Sequence, residues 1–76
     1  MKVFWVCLQK QGRFPQLIHA DFIQDPKEAL ASARAYEGAK PEEILIGWWE
    51  TETRKTGGVY SLTDPDVIKF MMAVGI

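Results

Sequence analysis

Apolar positions along the chain follow two different spacings, and the changes between them mark out the elements. Residues 2–9, "KVFWVCLQ", are rich in β-branched and aromatic types, "KQGR" supplies a glycine turn, and a second run follows in "FPQLIHADFI". This pattern predicts a β-hairpin, with Pro15 placing the second strand at a sheet edge or starting it just after the proline. A two-residue turn at Gln11 and Gly12 pairs positions whose numbers sum to 23, so that Phe4 meets His19 and Cys7 meets Gln16. One face then carries Val3, Trp5, Cys7, Phe14, Ile18, Ala20 and Phe22 and reads as the core. The other carries Phe4, Val6, Leu8, Leu17, His19 and Asp21 and is still half apolar.

"QDPKEALASARAYEGAKP" follows helical grammar. Asp25 stands as N-cap, Pro26 takes the first helical position, and Glu28 is spaced to close a capping box; Gly38 ends the helix and Pro41 forbids its continuation. Its inward stripe is Ala29, Leu30, Ala33 and Tyr36, small enough to lie close on a sheet but thin as a cover. A third strand is expected from Glu43 to Thr51, then a polar loop, "ETETRKTGG", and a short fourth strand, "VYSL". The last segment, "TDPDVIKFMMAVGI", repeats the start of the first helix with Thr63 or Asp64 as cap and Pro65 in the first turn. Val67, Ile68, Phe70, Met71, Met72, Val74 and Ile76 leave this helix few polar sides.

The adjacent Trp48 and Trp49 set the main constraint. Side chains alternate along a strand, so the two indoles point to opposite faces of the sheet and one helix layer cannot bury both. The second face must be covered by the C-terminal helix or by another chain, because burying an aromatic is worth roughly 1.5–3 kcal/mol.

Composition narrows the class. A chain of 76 residues holds one domain, here residues 1–76, and 47% hydrophobic residues suffice for its core. Nine Lys/Arg against ten Asp/Glu, interspersed, leave a net charge of -1, so nonspecific nucleic-acid binding is disfavoured. The single cysteine, Cys7, excludes an internal disulfide and a multi-cysteine zinc site and fits a reducing cytoplasm. The first apolar run stops at Leu8, too early for a secretory signal, and no segment approaches the ~18 apolar residues of a membrane span.

Candidate chemistry is sparse. Cys7 and His19 are the one nucleophile–base combination, and the expected register sends them to opposite faces. His19 and Asp21 supply two metal ligands without a third. Glu42, Glu43, Glu50 and Glu52 flank a strand as solubilising charges, and the glycines lack the spacing of a phosphate-binding loop. No catalytic residue, metal, cofactor or small-molecule substrate is expected. Phe4, Trp5, Trp48, Trp49 and Tyr60, rimmed by Lys10, Arg13, Arg54 and Lys55, imitate a nucleic-acid stacking platform but match no RNA-binding strand motif.

The turn Lys10-Gln11-Gly12, the helix residues Glu28, Ala29, Leu30, Ala33, Arg34 and Tyr36, and the tryptophan-bearing strand resemble the small B-type (PaaB-like) subunit of phenylacetyl-CoA epoxidase complexes over roughly residues 4–49. That resemblance implies a noncatalytic, self-associating bridge within a larger assembly.

The expected fold is therefore α+β, a small antiparallel sheet of three to four strands with two helices in the order ββαβ(β)α and the first helix on one face. The expected function is that of a small noncatalytic interaction or assembly module, binding a protein partner or itself as a homodimer. Phe4, Trp48, Trp49, Phe70, Met71 and Met72 are its candidate anchors, together with the edge of the second strand. The alternative is a nucleic-acid-binding or transcription-modulating accessory protein using Arg54 and Lys55 with Trp49.

Overall fold

The computed structural model describes residues 1–76, with the side chains of His19, Ala20, Asp21 and Phe22 excepted. Strands β1 (Lys2–Leu8) and β2 (Gln16–Ile23) lead into helix α1 (Pro26–Ala35). A 3₁₀ turn over Pro41–Glu43 then enters β3 (Ile44–Glu50), β4 (Lys55–Ser61) and helix α2 (Asp64–Val74). The strands form one antiparallel sheet in the order β2-β1-β3-β4. The fold is α+β, with four strands in the sheet, as the apolar spacing predicts.

Because β2 and β3 each run antiparallel to β1 and flank it, they are parallel to one another, and α1 crosses over β1 to join them. Asp25 caps α1 by accepting from the Lys27 amide at 3.0 Å. The helix stops at Ala35, three residues before the expected glycine, where Tyr36 turns extended (φ -74°, ψ 123°) and packs on the core. A box-like reciprocal pair occurs one element later: the Lys40 amide donates to Glu43 Oε1, and the Glu43 amide returns to the Lys40 carbonyl, both at 2.9 Å. Helix α2 closes on Gly75 in the left-handed region (φ 78°), and the Ile76 amide reaches back to the Met71 carbonyl at 2.9 Å.

Both helices lie on the same side of the sheet. Ala29, Leu30 and Ala33 of α1 and Val67 and Phe70 of α2 share one core with Phe4, Val6, Ile23, Ile44 and Ile46. Phe70 is fully buried at its centre, with ring centroids 6.0 Å from Phe4, 5.9 Å from Tyr60 and 6.4 Å from Trp48, and Trp48 stacks on Tyr60 at 6.1 Å. This overturns the expected assignment of faces. The face of Phe4 and Val6 is the core, whereas Val3, Trp5 and Cys7 lie on the side with no helix over it. Both sides of β1 are equally apolar, so alternation separates them without saying which one the helices cover.

The β1/β2 connection also departs from the two-residue turn. Residues 9–15 form the loop, with the Arg13 amide bonded to the Lys10 carbonyl at 3.1 Å and Gly12 at φ 77°, and β2 starts just past Pro15. The ladder pairs Leu8 with Gln16 and Cys7 with Leu17, then slips twice, to Val6 with His19 and Phe4 with Ile23. Phe14, expected on the core face, stands in the loop at 94% exposure, while Ile18 packs against the core. The expected positions of the Ala20 and Phe22 side chains lie outside the described residues.

Strand β4 begins four residues earlier than expected, so the polar loop shrinks to a turn over residues 51–54 with Arg54 left-handed (φ 57°). Gly57 and Gly58 are inside the strand, at a register shift opposite Trp48. A Cβ on Gly57 would overlap the Trp48 indole, so this glycine serves close packing.

Candidate functional site

The helix-free face is built from alternate residues of all four strands. Its two central strands align in three rows: Val3 with Trp49, Trp5 with Gly47, and Cys7 with Leu45. Leu17 of β2 flanks Cys7, while Val59 and Thr56 of β4 flank Gly47 and Trp49. Among the described residues these rows carry no formal charge.

Trp5 lies flat across the neighbouring strand, where a Cβ on Gly47 would collide with its ring, and this leaves the indole half-buried on the side of the sheet without a helix. Trp49 stands free at 43% exposure, with Leu17 at 56% and Val59 at 52%. Side by side in the strand register, these residues form a contiguous apolar patch.

The tryptophans point to opposite faces, as strand geometry requires, but only one face is covered. Trp48 belongs to the core cluster, with the Lys2 ammonium 5.3 Å from its ring centroid, and Trp49 belongs to the open face. The C-terminal helix does not supply the second cover. Of the other expected anchors, Phe4 and Phe70 are interior residues and so cannot be surface contacts in this fold. Met71 is half-buried against the core. Met72 is exposed at 77% and, with Ile68 one turn earlier, forms a separate ridge on the outer side of α2. Sequence reasoning missed Trp5, Leu45 and Val59 as surface residues. The signal that could have found them is that they alternate in phase with Trp49 through the pairing of β1, β3 and β4.

Arg54 and Lys55 are exposed at the β3/β4 turn. Lys55 pairs with Glu50, which points away from Trp49 by alternation, so Lys55 and Trp49 do not share a platform.

Cys7 is half-buried, and burial pushes its thiol pKa upward, which disfavours the reactive thiolate. The His19 and Asp21 side chains lie outside the described residues, and among the described residues no three His, Cys, Asp or Glu side chains gather as a metal site. Near the start of α2 the Ser61 amide and hydroxyl donate to Asp66 Oδ2 at 3.1 and 3.2 Å, and the Ser61 and Thr63 hydroxyls lie 2.7 Å apart. The Ser61 amide, with a further contribution from its hydroxyl and the Lys69 charge, holds the Asp66 carboxyl below its usual pKa. This cluster joins β4 to α2. An open-sided cavity of about 160 Å³ lies beside α1, lined by apolar residues including Ala33, Tyr36, Ile44 and Leu62, with Arg34 as its charged member. It has the volume of a single ring-sized group and no set of converging polar atoms. Among the described residues, no helix is long and apolar enough to cross a membrane.

No protein-family model matches the chain, and neither curated proteins nor solved structures give a match.

Proposed function

We propose that the protein is a small noncatalytic interaction or assembly module whose working surface is the open face of its sheet. One observation carries this reading. The helices cover a single face, leaving Val3, Trp5, Leu45, Trp49 and Val59 as a continuous apolar surface without formal charge. Covering it with another protein surface removes that apolar area from water, and Trp is among the residues that most often dominate such contacts. The resemblance to the B-type epoxidase subunit implies the same noncatalytic, self-associating role, and the lone thiol of Cys7 suits a reducing cytoplasm.

The test introduces charge where the surface is neutral. Trp49→Asp and Val59→Lys should each abolish association, with itself or with a partner, in sedimentation and in complexes isolated from native-cell extract. Circular dichroism of both variants should match the parent, because neither side chain is buried in the core. Unchanged association in both variants would refute the assignment of this face.

A further inference from the structure

The open face is too regular in shape to be indifferent to what lies on it. Four strands about 4.8 Å apart and seven residues long at about 3.4 Å per residue give a flat area of about 450 Å². Doubled, and enlarged by the relief of its indoles, that reaches the roughly 1,000 Å² at which specific interfaces begin. The rows carry no charge among the described residues, so they select no charged ligand and set no like charges together when stacked on themselves.

On the two central strands the ends of the face differ in height. At one end the central strands present Val3 and the outstanding Trp49, in the middle Trp5 lies flat on Gly47, and at the other end stand Cys7 and Leu45. Two sheets pack face to face at a nearly uniform ~10 Å, which requires tall positions to meet low ones. A two-fold axis along the strands would stack the Trp49 end on the Trp49 end and open a wedge at Cys7. A two-fold axis across the strands, at the row of Trp5 and Gly47, exchanges the ends. It sets Trp49 over Leu45 of the second copy and Val3 over its Cys7.

From this, and resting on the reading of the open face as the working surface, we infer that its occupant is a second copy of this chain, stacked face to face with the strand ends exchanged. The result is a two-layer sandwich of sheets with the helices outside and the Trp5 row on the axis.

The arrangement is tested by sedimentation and by a short bismaleimide thiol cross-linker on the intact chain. The parent protein should sediment at twice the 8.7 kDa chain mass at micromolar concentration. It should yield no covalent dimer, because each Cys7 lies one row, or two residues, from the axis, so the two thiols are separated by about 14 Å along the strands. Val3→Cys should give a covalent dimer through residue 3 of one copy and Cys7 of the other, since within one strand these positions are also about 14 Å apart. Adding Cys7→Ser to Val3→Cys should abolish that product. Ready cross-linking of the parent through Cys7, or persistence of the product in the double variant, would overturn the exchanged-end arrangement. An 8.7 kDa species at every concentration would overturn the second copy as occupant. If Trp49→Asp then still removed a different protein from the complex, the working-surface reading would stand without the dimer.

Discussion

The indole of Trp48 rests on the bare backbone of Gly57, in the space that any side chain at position 57 would fill. Trp48 can therefore lie flat enough to stack on Tyr60 at 6.1 Å and to close the edge of the Phe70 cluster. Gly57→Ala forces either the indole or β4 to move, and overpacking of this kind costs about 1–3 kcal/mol. Urea denaturation should show the unfolding free energy fall by that amount, with a lower midpoint, whereas Gly12→Ala meets no neighbouring atom and is opposed only by its left-handed backbone.

The same contact explains what was legible in the sequence. The helix starts at Asp25-Pro26 and Asp64-Pro65 and the apolar spacing of β1 and β3 are local signals, so element types and order follow from them. The pair Gly57-Gly58 carries the local signature of a loop, and its place inside a strand depends on an indole nine residues earlier in sequence, across the sheet. The hairpin register failed similarly, because Gly12 sits in a seven-residue loop and β2 slips twice against β1.

Phe70 touches three other aromatic rings and has no exposed surface. Phe70→Ala should cost about 3–5 kcal/mol, comparable with the whole stability of a domain this small. The expected outcome is loss of the cooperative thermal transition and of near-ultraviolet circular dichroism at 25 °C. Met72→Ala, on the exposed side of the same helix, should leave both unchanged to within about 0.5 kcal/mol of stability.

The candidate surface was legible only in part. That Trp48 and Trp49 diverge is a consequence of strand geometry, and it correctly predicts that one helix layer covers only one of the two rings. Which ring is which depends on where the helices lie. Both faces of β1 and β3 are apolar, and the small inward stripe of Ala29 and Ala33 fits the smooth Val6, Ile44 and Ile46 side closely without announcing that in the sequence. Phe4 and Phe70 read as surface anchors from residue type alone, and burial reassigns them.

Asp66 gives the fold a predictable acid response. Its carboxylate accepts from the Ser61 amide and hydroxyl, so its folded pKa lies below the unfolded value. A depressed carboxyl pKa contributes stability that is complete above the unfolded value, near pH 4, and is lost as the pH falls through the folded value. Asp66→Ala should therefore be less stable than the parent at pH 7, and the gap should narrow steadily as urea denaturation is repeated from pH 4 downward. A gap independent of pH would show that the loss comes from packing at the β4/α2 junction and not from the charged hydrogen bonds.

The sharpest contrast lies between the two adjacent tryptophans. Trp48→Ala removes a ring packed against Phe4, Tyr60 and Phe70, and should lower stability by about 3–5 kcal/mol at any protein concentration. Trp49→Ala removes a ring that the chain itself leaves 43% exposed, and should change the stability of the isolated chain by no more than about 0.5 kcal/mol. Association of the native state through the open face adds stability by mass action, so the parent's thermal midpoint should climb as protein concentration rises. That climb should vanish in Trp49→Ala, and alkylation of Cys7, slowed in the parent as concentration rises, should become independent of it. A midpoint that is flat with concentration in both proteins would leave Trp49 as an ordinary exposed ring and remove the open face from the protein's function.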